Sequence, residues 1–358
     1  MRTIAIVNQK GGCGKTTTTV SLAGCLAADG ARVLVADVDP QAHATLALGI
    51  DPERVDENLY EVLAEESGPA RLAEVIVPAA ERLHVAPAGI VLSALEAKLA
   101  GERAEARTGR LAQALASVGD RYDYALVDCP PNVGLLTFGA LRAAGEAIVP
   151  LETSHFAVHG VHKLLETIAL LGERLGHVPA ARVLPTLYDG RTRFARDTLA
   201  GIRSTFGDLC FDTVIRSCVR LREAVRAGVP ITRFAPRSNG ALDHAALAVE
   251  VAAAPASLAT ASAADTPGAL REVVVEYRDA RALDVRLAGD FNGWVPDRGV
   301  ETELREIGGD RVWRKILHVA PGAYEYRYVV DGEWREDPAN PDRVPSLLGP
   351  PHSRLVVP

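Results

Sequence analysis

The chain has 358 residues, 48% of them hydrophobic and 24% charged, which suits a globular protein long enough for two domains, each with its own core. Its net charge of −7 excludes a globally basic nucleic-acid binder, so any such contact must come from a local patch. No apolar run approaches the roughly 18 residues of a membrane span, and the first apolar strand starts too early for a secretory leader, so a cytoplasmic protein without membrane contact is expected.

Thr3 to Val7 is a short, β-branched apolar run that reads as a buried strand, and Gly14 to Ala28 reads as the helix after it. Between and across them runs Lys10-Gly11-Gly12-Cys13-Gly14-Lys15-Thr16-Thr17. A glycine-rich turn at this point lets backbone N–H groups converge on a phosphate, and the helix N-terminus adds partial positive charge. The strict P-loop pattern fails, because Gln9 stands where it requires glycine. Lys15 takes the place of the lysine that reaches the β- and γ-phosphates of ATP, and Thr16 that of the hydroxyl ligating Mg²⁺. Lys10 has no phosphate of its own in that scheme.

Gly30 stops the helix, and Arg32 to Ala36 makes a second buried strand that ends in Asp37-Val38-Asp39-Pro40-Gln41. Strand alternation places Asp37 and Asp39 on one face, at the carboxyl end where open α/β sheets bind ligands. Residues 51–120 read as helices Leu59–Glu66, Val91–Arg103 and Thr108–Val118 around a strand near Leu83–Ala86, with no evident chemistry. Tyr122 to Asp128 is an apolar strand ending in an aspartate before Cys129-Pro130-Pro131. This is Walker B logic, with Asp128 holding Mg²⁺ through water. A strand at Ala147–Leu151, a helix from about Val158 to Glu173, a strand at Ala181–Leu187, a helix at Phe194–Phe206 and a strand near Phe211–Ile215 follow.

Arg216, Arg220 and Arg222 then alternate with small or apolar residues. They form either a basic cluster able to touch phosphates without reading sequence or a solvated face paired with nearby acids. The helix Gly240–Ala253, with Leu242, Ala246, Val249 and Ala253 as its apolar face, lacks the large aliphatics and lysines of a membrane-surface helix. The five cysteines, Cys13, Cys25, Cys129, Cys210 and Cys218, show no C-x-x-C pair and read as reduced apolar residues rather than metal ligands or bridges.

The Lys-Gly-Gly-x-Gly-Lys-Thr run, the Asp-x-Asp-Pro-Gln segment and the Asp128 strand together resemble the deviant Walker A ATPases of the ParA/MinD family. The resemblance implies a doubly wound, mainly parallel α/β sheet over residues 1–253, with ATP and Mg²⁺ as cofactors. It implies an ATP-dependent homodimer in which Lys10 crosses to the partner's nucleotide while Gly11, Gly12, Cys13, Gly14, Lys15, Thr16 and Thr17 hold the chain's own. Asp39 matches the hydrolytic carboxylate, Asn132 to Thr137 the switch II segment, and Pro185 to Thr192 a stretch near the base. Arg216 and Arg220 match arginines of a nonspecific DNA-binding stretch, although Ser217, Cys218, Arg222 and Val225 depart from it. A ParB-like activating protein is the partner this resemblance implies.

Residues 254–269, rich in Ala, Ser, Thr and Pro, read as a linker. From residue 270 to 358 the period changes to two, with strands at Val273–Val275, Leu283–Ala288, Val312–Val319 and Ala323–Val330 and an Asp331-Gly332 hairpin turn. A small all-β, immunoglobulin-like sandwich is expected. All three tryptophans, Trp294, Trp313 and Trp334, lie here, and an indole face stacks on the apolar face of a pyranose. Along the last of these strands Tyr324, Tyr326 and Tyr328 point to the core, leaving Arg327 for solvent or ligand.

The Gly-Asp-Phe-Asn-Gly-Trp and Tyr-Glu-Tyr-Arg-Tyr-Val-Val-Asp-Gly-Glu-Trp motifs look like the glycogen-binding module of AMP-activated kinase β-subunits and branching enzymes. The resemblance implies sugar contacts at Trp294, Arg327, Trp334, Leu348 and His352, with Pro350 and His352 replacing two polar partners of the family. Two outputs remain open: an ATPase that segregates or positions DNA or another cargo and carries a glucan-type module, or one that positions or regulates α-glucan assemblies without DNA.

Overall fold

The computed structural model describes residues 1–65, 68–132, 134–153, 179–253, 271–292, 296–297, 299–307, 310–319, 321–344 and 351–357. The chain divides into two compact units, Met1–Ala261 and Ser262–Pro358. The expected helix near Val158–Glu173, the linker 254–269, and Trp294 and Leu348 lie outside the described residues.

The first unit is a seven-stranded sheet: β1 (Arg2–Ile6), β2 (Val33–Asp37), β3 (Val77–Ala80), β4 (Leu83–Ala86), β5 (Tyr124–Asp128), β6 (Glu146–Glu152) and β7 (Ala180–Thr186), in the order β3-β4-β2-β5-β1-β6-β7. All neighbours are parallel except the β3–β4 pair. The central strands are continuously apolar because each feeds a core on both faces. Ile4 and Ile6 pack with Val33, Val35 and Leu126 on one side, while Ala5, Leu34, Ala36 and Val127 pack on the other. Helices Lys15–Ala28 and Asn239–Ala253 cover the first side, and Ala104–Ala116 and Leu135–Ala143 the second.

Several local expectations change. The Val91–Arg103 segment is a 3₁₀ turn, Ile90–Ala94, followed by the single helical turn Leu95–Lys98. Phe211–Ile215 forms no strand of its own; it runs beside β7, with Phe211 N donating to Val183 O and Ile215 N to Pro185 O. In helix Asn239–Ala253 the stripe Leu242, Ala246, Val249 and Ala253 faces outward, whereas Ala241, His244, Leu247, Ala248 and Val251 are buried. The antiparallel β3 has too weak a pattern, Val-Pro-Ala-Ala, to stand out in the sequence.

The second unit is antiparallel throughout. One sheet contains β8 (Arg271–Arg278), β10 (Val300–Ile307) and β11 (Asp310–Val319); the other contains β9 (Val285–Gly289), β12 (Gly322–Val330), β13 (Glu333–Arg335), β14 (Arg343–Val344) and β15 (His352–Val357). The β12–β13 turn has φ of 50° at Asp331 and 86° at Gly332, the pair of positive angles a two-residue hairpin demands. Tyr277, Leu287, Leu317, Tyr326 and Tyr328 form the core.

Candidate functional site

The cradle leaves β1 and enters helix Lys15–Ala28 through two glycines in the left-handed region, Gly12 at φ 74° and Gly14 at φ 97°. A side chain at either would be strained. The loop is tied to the sheet: Asn8 Nδ2 donates to Pro150 O at 2.7 Å, Lys10 N to Asn8 Oδ1 at 3.0 Å, and Thr186 Oγ1 to Cys13 O at 2.7 Å. No side chain caps the helix N-terminus, which leaves its first N–H groups for an anion. Lys15 is buried and its Nζ donates to Lys10 O at 3.1 Å, while Lys10 Nζ pairs with Glu152 at the end of β6.

Beneath the cradle, β2 and β5 end side by side with Asp37 opposite Asp128. Both are fully buried. Asp128 accepts from Thr16 Oγ1 and from Thr19 Oγ1, each at 2.8 Å. Asp37 accepts from Thr45 N and Thr45 Oγ1, each at 2.8 Å, and from Asp39 N at 3.2 Å. Burial raises both acids above the ordinary carboxylate range, with the charge of Asp128 adding to it at Asp37 and that of Asp39 at Asp128. Asp39 lines the cavity, and its Oδ1 accepts from Gln41 N at 2.9 Å. Ala42, at φ 53°, stores strain where the chain turns from Asp39 into helix His43–Ala47.

A threonine hydroxyl against a buried carboxylate, one turn from phosphate-facing N–H groups, suits a hard cation that takes oxygen ligands and keeps water and phosphate in its shell. Among the described residues no three His, Cys, Asp or Glu side chains converge to hold a metal by themselves. All five cysteines are free, and Cys13, Cys25, Cys129 and Cys210 are buried.

A cavity of about 630 Å³ extends from the cradle past Asp39 and Thr186 to Ile215, Arg216 and Leu221. Its size is that of a nucleotide pocket. Leu187 borders it at φ 54°, and so does the fully buried His244, whose Nδ1 donates to Gly240 O at 2.7 Å while Nε2 has no partner among the described residues.

The three arginines stand in different surroundings. Arg216 precedes helix Val219–Ala227 and is chelated by Asp243, with Nη2 donating to Oδ1 at 2.6 Å and Nε to Oδ2 at 3.0 Å. Arg220, exposed on the helix, pairs with Glu223 at 2.7 Å. Arg222 borders the nucleotide-sized cavity. Arg220 and Arg222, two apart on this helix, leave it about 200° from one another.

In the second unit the strand register groups the described carbohydrate candidates. Val329 lies opposite Trp334 and Glu325 opposite Arg354, so Glu325, Arg327, Trp334 and His352 share the face of the five-stranded sheet away from Tyr326 and Tyr328. His352 Nδ1 meets Glu325 Oε2 at 2.9 Å. Arg327, expected to face solvent or ligand, is only 8% exposed; it donates from Nη2 to Trp334 O at 2.7 Å with its guanidinium 5.9 Å from the indole centroid. Trp313 is instead half-buried against the core. Sequence reading missed Thr19, Thr45, Glu152 and Asp243, because none sits in a spaced motif and each acts through a contact with a residue distant in the chain.

A family model described as an AAA domain matches residues 1–178, and one described as the glycogen recognition site of AMP-activated protein kinase matches residues 271–344. The sporulation initiation inhibitor protein Soj of Bacillus subtilis is 41% identical over 252 residues, covering 70% of this chain and 98% of that protein. The chromosome-partitioning ATPase Soj of Thermus thermophilus is 41% identical over 256 residues, covering 71% and 96%. Among solved structures, a cobyrinic acid a,c-diamide synthase from Mycobacterium smegmatis with bound ADP and magnesium superposes with a TM-score of 0.59 at 32% identity, covering 70% of this chain and 93% of that one. The cell division ATPase MinD of Pyrococcus furiosus gives 0.57 at 26%, covering 70% and 98%.

Proposed function

The chain belongs to the ParA/MinD family of P-loop ATPases, and from that premise we propose that it is a MgATP-dependent dimerisation switch that positions a cargo, with the outer face of its C-terminal five-stranded sheet contacting α-glucan. It is an ATPase of the partitioning or positioning type that uses ATP and Mg²⁺, and its C-terminal unit is a glycogen-recognition-type module. The observation that carries the switch is the convergence of Lys15, Thr16, Asp39 and the Thr16–Asp128 hydrogen bond on one cavity, with a second lysine, Lys10, held beside it.

In this reading Gly11 to Thr17 hold the phosphates and Lys15 turns from the Lys10 carbonyl onto them. Magnesium, when bound, offsets the phosphate charge; Thr16 and, through water, Asp128 would hold it. Asp39 orients the attacking water, and hydrolysis returns the dimer to monomers. Lys10 leaves Glu152 for the nucleotide of a second copy, so ATP biases a monomer–dimer equilibrium. Lys15→Ala should abolish ATP binding; retained binding would refute the site.

The glucan reading rests on Arg327, Trp334 and His352 sharing one sheet face. Retention on glycogen or amylopectin, lost in Trp334→Ala, tests it, and a wild type that is not retained refutes it. A second reading, DNA as the track with a ParB-like activator, draws on the chromosome-partitioning relatives and on the exposed Arg220. An ATP-dependent shift of nonspecific DNA, lost in Arg220→Ala, is its test. The Arg216–Asp243 chelate makes Arg216 the weaker DNA candidate.

A further inference from the structure

The cation balance of the nucleotide cavity is uneven. Lys15, Arg216 and Arg222 are among the residues that line it. Asp243 already neutralises Arg216. Lys15 spends its amine on a loop carbonyl, and the neighbouring Lys10 is paired with Glu152. Arg222, exposed on its helix, makes no hydrogen bond or ion pair with any described residue and lines the cavity.

Its position is imposed by packing. On helix Val219–Ala227 Leu221 is buried, and Leu221, Arg222 and Val225 turn the same side of the helix to the cavity. The helix ends at Gly228, in the left-handed region at φ 64°, and there its backbone meets Gly49 just beyond helix His43–Ala47. A Cβ on Gly228 would lie 2.7 Å from Gly49 Cα, and one on Gly49 would lie 2.7 Å from Gly228 O. This backbone contact locks the Arg222 helix to the segment bearing Asp39, Gln41 and His43, which forms the adjoining wall of the same cavity.

We propose that Arg222 is a phosphate-contacting residue of the nucleotide site, reaching the triphosphate from helix Val219–Ala227 and tying that helix to the Asp39 segment when nucleotide is bound. The proposal rests on the nucleotide reading of the cavity. A guanidinium with no carboxylate partner beside an anion-binding loop forms charge-assisted, bidentate bonds to phosphate oxygens on ligand entry, without first breaking an existing ion pair.

The test is equilibrium binding of a fluorescent ATP analogue with Mg²⁺ to the full chain, with ATP and adenosine as competitors. Arg222→Ala should weaken ATP about tenfold and adenosine less than about twofold, Arg222→Lys should recover part of the loss, and the difference from wild type should shrink as salt rises. Because Arg222 is exposed, the thermal transition should not move. Unchanged ATP affinity in Arg222→Ala, with Lys15→Ala still abolishing binding, overturns the proposal and leaves the nucleotide site standing; no effect of either substitution overturns both. An equal loss for ATP and adenosine overturns it, and so does a loss confined to nonspecific DNA.

Discussion

Replacing Lys10 with alanine should separate nucleotide binding from dimerisation, and the structure bounds the cost. The Lys10–Glu152 ion pair joins side chains 44% and 33% exposed, so solvent screens it and it contributes about 0–1 kcal/mol to the free chain. Losing it should shift the melting temperature of a unit this size by less than about 4 °C. ATP affinity should hold within about threefold, since the cradle keeps Lys15 and its N–H groups. Dimerisation should fail, because the cation that would meet the second copy's nucleotide is gone. The same bound applies in reverse: Glu152→Gln removes the carboxylate charge beside Lys10 and should tighten the ATP-dependent dimer by no more than about fivefold. Sedimentation equilibrium of the full chain with MgATP against MgADP reads both effects. A Lys10→Ala protein that dimerises with ATP as the wild type does refutes the reasoning, as does a Glu152→Gln protein that dimerises less.

Asp37 and Asp128 have folded pKa values above their unfolded ones, so at these two sites the native nucleotide-free chain holds more protons than the unfolded chain once pH exceeds about 4, and the two groups lower stability as pH rises toward neutrality. The melting temperature of Asp37→Asn, relative to wild type, should therefore climb over that interval, and parallel curves would contradict the shift. Gly228→Ala forces a Cβ against Gly49 at a positive φ and should cost roughly 1–3 kcal/mol in denaturant unfolding; an unchanged midpoint would deny the close approach. Trp334→Ala removes the indole that covers Arg327 and should weaken glycogen co-sedimentation by roughly 1–2 kcal/mol while leaving ATP hydrolysis intact; equal retention of variant and wild type would remove the sheet face from consideration.

The cradle was legible because phosphate binding at a strand–helix turn needs contiguous residues: glycines at the positive-φ positions 12 and 14, then a lysine and a threonine opening the helix. Asp128 was legible for the related reason that a carboxylate ending an apolar strand falls at the ligand edge of a parallel sheet. The arginines stayed open between a basic cluster and an acid-paired face because their spacing suits either an extended chain or a helix, and helix Val219–Ala227 is selected by the burial of Leu221 and Ala224 against distant elements. Alternation put Arg327 on the face away from Tyr326 and Tyr328; its burial, with Nη2 bonded to Trp334 O, depends on how β13 pairs beside β12 and was not legible.

By itself the sequence determined which backbone turns can hold phosphate, which strands are buried on both faces, and that an α/β unit is followed by a β unit, because these depend on local torsions and on the period of apolar residues. Only the tertiary structure decided which charges are already neutralised. Glu152 on Lys10 and Asp243 on Arg216 follow from where separate elements meet, pairings that leave no spacing in the chain to read, while Glu223 on Arg220 is a three-residue spacing on a helix that tertiary packing selects, and Arg222 meets no described acid.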